Sequence, residues 1–336
     1  MHIWIDLANS PHVPFFRPLA NEFRRRGHNV VATARRFTET VSLAEAAGFA
    51  PQVIGGHGGG RLSGKAANLV GRGLELARWA RGKQIDLAVG HNSYSQILAA
   101  RALSLRCVTL MDYEHQPANH LAFRLASRVI VPRSFPATSL TRFGVTATKV
   151  RKYDGIKEDV YLADFQADHN FEAELQKLGI SGGDILVTAR PPASEALYHR
   201  FENQLFDQLL DRVLQVPTAK LILLPRNEWQ RRYYTRDQII IPAHPLDGAN
   251  LIARSDLVVS AGGTMNREAV ALGVPAASIY VGEWAAIDQQ LVNEGRLQRI
   301  ITEKDLGNLR IEKKPARTGR AGTAVLQEVA NLILED

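Results

Sequence analysis

Two doubly wound, parallel-sheet α/β domains are predicted for this 336-residue chain, and three observations predict them. Short apolar runs alternate with helix-length amphipathic stretches throughout, the pattern of βα units that cover a parallel sheet on both faces. The length exceeds one ordinary core and suits two. The charge also divides, with 22 Lys and Arg against 11 Asp and Glu over residues 1–160, and 19 against 23 over 161–336. A basic half and a mildly acidic half imply domains with different partners.

The first domain is placed at 1–155. Its strands are expected at 2–6, 29–33, 51–54, 85–89, 107–111 and 128–131, and its helices at 14–26, 37–47, 63–81, 93–104 and 117–126. Pro14 fits a helix start, where its missing N–H is unneeded. Gly27, Gly48 and Gly82 each follow a helical run and read as helix-ending glycines. The polar, turn-rich segment 152–170, KYDGIKEDVYLADFQADHN, reads as a hinge and crossover. The second domain, 165–320, repeats the rhythm with strands at 184–188, 219–224, 238–241, 256–260, 276–280 and 298–301. Its helices are expected near 194–214, 249–253, 264–272 and 284–294, and residues 321–336 supply a closing helix. KKPARTGRAG, 313–322, reads as a surface connection. Two such domains facing each other would hold a ligand between the carboxyl ends of both sheets.

Composition narrows the function classes. The longest apolar runs are a few residues, as in Leu221–Leu224, too short to span a bilayer. No basic-then-apolar leader opens the chain, and its one cysteine, Cys107, permits no internal disulfide, so a reducing cytoplasm is expected. The basic half suits nucleic acid, anionic lipid or an acidic substrate, or is simply a solvated face. Nucleic acid is the weakest of these, because no aromatic interleaving and no recognisable binding module accompanies the charge. With no C-x-x-C, no H-E-x-x-H and no Asp-x-Asp after a strand, neither a metal nor a cofactor is expected.

The strongest local feature is DLVVSAGGTMNREAVALGVPA, 256–276, in which a buried strand runs into Gly262-Gly263-Thr264 and then a helix. Glycines allow close approach of backbone to ligand, and a helix N-terminus offers N–H groups and a positive dipole end to a diphosphate. Thr264 can cap the helix or bond a phosphate oxygen, and Glu268, one turn on, can accept from a ribose diol. A plain tight βα turn with a capping threonine fits these residues equally well.

This segment is similar to the nucleotide-sugar motif of GT-B glycosyltransferases and of the UDP-N-acetylglucosamine 2-epimerases that share their fold. YEHQPANHLAFRLASRVIVP, 113–132, and EWAAIDQQLVNEGRL, 283–297, resemble segments of the N-acetylglucosaminyltransferase that makes the peptidoglycan lipid intermediate. Over nearly its whole length the chain resembles a group of bacterial and archaeal GT-B-like proteins that share an IWIDxxNxPHV opening and a GGTMxRE turn. The resemblance implies a GT-B fold and a nucleotide-sugar substrate, UDP-linked. It implies that Gly262, Gly263 and Thr264 hold the diphosphate and Glu268 the ribose, while Asp288, Gln289 and Gln290 face the donor sugar. Arg190, in TARPP, is placed to balance diphosphate charge or is a surface arginine beside Pro191, and Arg226, in LPRNE, stands similarly at a strand end. The resemblance implies base recognition by backbone groups near 238–246, which brackets Pro245 and Leu246. For an epimerase-like proton abstraction only Glu114, with His115, matches.

The opening loop, Asn9-Ser10-Pro11-His12, lacks the glycines of a phosphate loop and of the peptidoglycan enzyme. In a GT-B enzyme the donor lies mainly on the second domain, so this loop would face an acceptor. His12 then serves as general base or sugar contact, or braces the loop. Asp6 orients that imidazole or bonds loop N–H groups, and Asn9 contacts sugar or forms the turn. His91, with Asn92 and Ser93, adds a sugar contact at another strand end. GGHGGGRLSGK, 55–65, is either mobile or wrapped on a ligand, and the arginine-rich helix after it lies on an anionic membrane or packs on the sheet. The expected activity is metal-independent, inverting transfer of sugar to a cell-envelope glycan or lipid-linked acceptor, at the inner face of the cytoplasmic membrane if the acceptor is a lipid. A UDP-sugar 2-epimerase acting without acceptor is the alternative.

Overall fold

In the computed structural model, residues 1–56, 62–192, 200–315, 319–320 and 322–335 are described. Residues 57–61 of the glycine-rich loop, 193–199 of the expected helix, and 316–318 and 321 of the surface connection lie outside the described residues. The chain divides into two units, Met1–Asp164 with Gly322–Asp336, and Phe165–Ala321.

The first unit is built on strands β1 (His2–Leu7), β2 (Asn29–Ala34), β3 (Gln52–Val53), β4 (Leu87–His91), β5 (Arg106–Leu110), β6 (Arg128–Pro132) and β7 (Val150–Tyr153). All pair in parallel, in the order β3-β2-β1-β4-β5-β6-β7. Such strands are buried on both faces, which is why β1 reads as a nearly continuous apolar run with Ile3, Trp4 and Ile5 inaccessible. Helices α1 (His12–Arg25), α2 (Thr40–Ala46), α3 (Leu62–Ala80), α4 (Tyr94–Ala102), α5 (Asn119–Leu125), α6 (Ala137–Arg142) and α7 (Lys157–Tyr161) connect them. One core joins Trp4, Leu76, Ile97, Phe123 and Val129.

The second unit repeats the plan with α8 (Phe171–Lys177), β8 (Ile185–Arg190), α9 (Arg200–Leu214), β9 (Ala219–Leu223), α10 (Glu228–Tyr233), β10 (Ile239–Ile240), α11 (Gly248–Arg254) and β11 (Leu257–Ser260). It continues through α12 (Gly263–Ala271), β12 (Ala276–Ser278), α13 (Ala286–Asn293), β13 (Leu297–Arg299) and α14 (Glu303–Gly307). Its parallel order, β10-β9-β8-β11-β12-β13, matches the first sheet without the extra edge strand. One core packs Phe206 and Leu209 of α9 on Val187, Leu223 and Val259, and another packs Phe171, Leu175 and Leu251 on Leu186 and Ile222.

The last helix, α15 (Thr323–Leu334), belongs to the first unit, where it packs on α1, α7 and β7. Arginines meet its C-terminal carbonyls, as helix polarity favours. Arg128 Nη1 donates to the carbonyls of Leu332 at 2.8 Å and Glu335 at 2.6 Å, and Arg151 Nε reaches the Glu335 carboxylate at 2.8 Å. Among the described residues no helix is long and apolar enough to cross a membrane.

Two local readings change and one holds. Helix α1 starts at His12, not Pro14, because Pro11 already holds helical angles (φ −64°, ψ −14°) and Pro14 falls within the first turn, whose N–H groups have no helical partner. The 152–170 segment is more than a hinge, since it holds the end of β7 and α7, whose start is fixed by the Asp159 carboxylate accepting from Ile156 N at 3.0 Å. Gly27, Gly48 and Gly82 do end helices, with φ near +80° (+81°, +78° and +79°) where a side chain is strained.

Asp6 neither orients His12 by a hydrogen bond nor bonds loop N–H groups. Fully buried on β1, it receives both arms of Arg72 from α3, at 2.9 and 2.7 Å. Thr33 Oγ1 donates to it at 2.6 Å, Ser93 Oγ donates as well, and Arg72 Nε donates to the Ile54 carbonyl at 2.9 Å. Burial pushes this carboxyl up, but the Arg72 charge and the hydrogen bonds outweigh burial and hold it below its ordinary value. Removing one partner leaves the other charged and unpaired, so Arg72→Met is expected to cost about 3–5 kcal/mol. A urea denaturation midpoint unchanged from the parent would contradict that.

Candidate functional site

In both sheets the strand order reverses beside the first strand of the unit, so connections leaving the two central strands run to opposite faces and leave a crevice at the carboxyl edge. In the first unit this point lies between β1 and β4. The loop after β1 turns directly into α1, with His12 N donating to the Asn9 carbonyl at 3.0 Å. His12 is 8% exposed, its ring centroid is 5.4 Å from that of His91 at the end of β4, and its Nδ1 has no hydrogen-bond partner among the described residues. His91 Nε2 lies 3.3 Å from Asp112 Oδ1, just past β5, and Lys157 Nζ, starting α7, lies 3.1 Å from Asp112 Oδ2. The edge of the first sheet thus carries a chain of four polar groups drawn from four connections. Burial, then the charge of His91, hold His12 well below the ordinary imidazole value, against an opposing pull from Asp6 and with help from Lys157 and Arg35. It is neutral at physiological pH.

Other expected residues of this unit are engaged locally. Asn9 Oδ1 accepts from Arg35 Nη2 at 2.7 Å, and Ser10 Oγ lies 2.7 Å from Thr38 Oγ1. Asn92 sits at φ +49° and donates from Nδ2 to Asn119 Oδ1 at 2.6 Å, while Ser93 serves Asp6. Glu114 is buried, with a carboxylate oxygen 3.6 Å from His115 Nε2.

In the second unit the corresponding point lies between β8 and β11. Gly262 is the extended N-cap of α12 (φ −152°, ψ 156°), with its N–H donated to Ser260 Oγ at 3.1 Å and no side-chain cap on the helix. Thr264 is exposed in the first turn, and Glu268 stands half-buried one turn further on. Arg190 ends β8 with a buried Nε that has no partner among the described residues. Arg226 Nε donates to the Pro191 carbonyl at 2.9 Å, and its backbone N–H to Gln230 Oε1 at 2.8 Å. Its Nη2 lies so close to Gly262 that a Cβ there would sit 3.3 Å away. Burial first, then the charge of Arg190, push Arg226 down to about 10. It remains a cation, so two like charges share the open end of a helix whose N–H groups also favour an anion.

Asp288 is clasped by Arg267, with Nε and Nη2 at 2.7 and 2.8 Å from its two oxygens. Gln289 bonds Asn293 Oδ1 at 3.1 Å and Gln290 bonds Glu294 Oε1 at 2.6 Å, both along their own helix. Among the described residues no group of three His, Cys, Asp or Glu side chains is arranged to hold a metal ion.

All 336 residues match the family described as "Protein of unknown function (DUF354)". The chain belongs to that family. An uncharacterized protein of Methanocaldococcus jannaschii is 26% identical over all of this chain and 97% of its own length. Among solved structures, the UDP-GlcNAc 2-epimerase of the same organism superposes over the whole of both chains, with a TM-score of 0.77 at 14% identity. The Staphylococcus aureus MnaA–UDP complex gives 0.68 at 16%, covering all of this chain and 88% of that one. The rhamnosyltransferase of spinosyn, SpnG, gives 0.59 at 14%, covering all of this chain and 92% of that one. These likenesses establish the fold as GT-B-like, with two parallel-sheet, Rossmann-like domains.

His12 with His91, and Arg190 with Arg226 and Gly262, are therefore brought together, each set within one unit. Asp112, Lys157, Arg267 and Arg72 are the polar residues that sequence reasoning passed over. Asp112 carried a readable signal, an acid directly after the apolar run CVTLM, whereas Lys157 stood in the segment read as a hinge and Arg72 in the arginine-rich helix read as membrane-facing or packed on the sheet.

The state of His12 is testable through stability. An unfolded chain takes up a proton on this residue as pH falls through about 6.5, while the folded one does not, so the fold loses stability as pH falls through that window. His12→Gln removes that contribution, and its urea midpoint should fall less than the parent's between about pH 7 and pH 5. Equal losses would place a protonated imidazole in the fold.

Proposed function

We propose that this protein is a glycosyltransferase that moves a sugar from a nucleotide diphosphate donor, UDP-linked, to a glycan or lipid-linked acceptor. The observation that carries the reading is the Arg190–Arg226 pair of cations at the uncapped, glycine-lined start of α12. A diphosphate would neutralise both arginines, and the first N–H groups of α12 would complete its hydrogen bonds. Glu268 is assigned to the ribose hydroxyls and Thr264 to a phosphate oxygen. Asp288, locked by Arg267, keeps outward lone pairs for sugar hydroxyls, and Gln289 and Gln290 follow it on α13.

In the reaction an acceptor oxygen attacks the anomeric carbon. The bond from that carbon to the diphosphate oxygen breaks, and the nucleotide leaves with the electron pair, its charge taken by the arginines and the helix end. The acceptor proton goes to His12, whose neutral imidazole has an unengaged Nδ1. Direct displacement inverts the anomeric centre. With the acceptor on a lipid, the enzyme would work at the inner face of the cytoplasmic membrane.

The full-length likeness to a UDP-GlcNAc 2-epimerase favours a second reading, in which the same nucleotide site serves epimerisation and Glu114 and His115 move the proton. Incubating UDP-GlcNAc with the protein alone separates them. Formation of the 2-epimer would establish the second reading, and UDP release that depends on added acceptor would establish the first.

Both readings share the nucleotide site. A hydrogen bond to a charged group contributes about 1.5–3 kcal/mol, so Arg190→Ala and Arg226→Ala should each weaken UDP binding roughly tenfold to a hundredfold. Glu268→Ala should weaken UDP binding with little effect on inorganic pyrophosphate. Calorimetric affinities for UDP that do not change in any of the three variants would sink the assignment.

A further inference from the structure

The first unit has a second concavity, at the amino edge of its sheet, away from the edge that holds His12. Its volume is about 520 Å³. Helices α4 and α5 end there, and β5 begins there. Arg101, Arg106, Arg124 and Lys149 line it together with Ser104 and Ser127, and its lining includes no Asp or Glu.

Cations at helix C-termini have an ordinary explanation, because the last carbonyls of each helix carry about half a negative charge. Lys149 Nζ donates to the Arg124 carbonyl at 3.1 Å, and Arg124 Nη1 donates to the His120 carbonyl at 3.1 Å. Arg106 Nη2 is committed to the Ile333 carbonyl at 3.3 Å, and its charge acts on Glu335, which leaves Arg101, Arg124 and Lys149. Two helix ends supply roughly one unit of negative charge, too little for these three cations. Elsewhere in this unit clustered arginines hold carboxylates: Arg25 and Arg26 share Glu22, Arg72 holds Asp6, and Arg128 and Arg151 share Glu335. Among the described residues no ion pair joins Arg101, Arg124 or Lys149 to a carboxylate. The serines add hydroxyls to this excess charge. Ser127 Oγ accepts from Cys107 N at 3.1 Å, which leaves its O–H to donate, and Ser104 occupies the left-handed region at φ +56°, where glycine is the usual residue.

We propose that this pocket binds a phosphate-bearing ligand, at a site separate from the nucleotide diphosphate of the second unit. Guanidinium forks and hydroxyl donors are the groups that recognise phosphate oxygens, and a volume of this size takes a phosphorylated small molecule or the headgroup of an anionic phospholipid. Either source presents the same chemistry to the wall.

The test uses the full chain carrying Arg190→Ala and Arg226→Ala, so that the second unit contributes no competing arginine pair. Inorganic pyrophosphate is titrated calorimetrically into this protein and into one that also carries Arg101→Ala and Arg124→Ala. Both added positions are exposed, and an unchanged Tm verifies the fold. One saturable site is expected in the first protein, weakened at least tenfold in the second. Flotation with phosphatidylcholine vesicles, with and without phosphatidylglycerol, distinguishes the sources. Binding to the anionic vesicles that the added substitutions abolish assigns the headgroup, and pyrophosphate binding without flotation assigns a soluble ligand. Failure to bind both pyrophosphate and anionic vesicles, or binding that the added substitutions leave unchanged, would overturn the proposal.

Discussion

A carboxylate with no access to water sits on β1, an inner strand of the first sheet, and the surrounding architecture satisfies it. Removing Asp6 from solvent costs several kcal/mol, which Arg72, Thr33 and Ser93 must offset together. Each of these partners comes from a different element, so the group that needs them fixes α3, β2 and the turn after β4 relative to β1. An apolar pair of the same volume would serve stability as well. A fork on a carboxylate adds direction, because it is satisfied at one rotation and one register of the helix. The turns that present His12 and His91 therefore leave a rigid base, and the contact between their rings follows from it.

The two sheets share a strand order but treat their carboxyl edges differently. In the first unit the edge is occupied by the protein's own polar side chains, which pair in a chain from His91 through Asp112 to Lys157. In the second unit the edge is lined by glycines and two cations that repel each other. A self-satisfied edge suits groups that must be held in one protonation state. In the second unit the repulsion between Arg190 and Arg226 is a cost that a bound anion would offset.

Much of this was legible in the residues. Alternating apolar runs located every strand except β7, because buried parallel strands need continuous hydrophobicity, and helix-ending glycines marked the turns with φ near +80°. What escaped were short helices such as α6, α7, α10 and α14, five or six residues each, which are held by tertiary contacts and carry too few turns for a period to show. At the candidate sites the glycine turn, Arg190, Arg226, His12 and His91 were readable, since each stands directly at a strand end. Partnerships were not. Nothing local in the sequence joins Asp6 to Arg72, 66 positions away, or Arg267 to Asp288, because such pairs exist only once the sheet order is set.

The closing helix gives the chain an unusual order of assembly. Because α15 completes the first unit, the second is an insertion within it, flanked on both sides by residues of the same sheet-and-helix body. A chain leaving the ribosome from its N-terminus exposes all of Phe165–Ala321 before the last helix can reach α1 and β7. The unit translated second is thus the first with all its parts available. The unit translated first waits, its arginines at 26, 128 and 151 without the partners they are placed to hold, until α15 arrives.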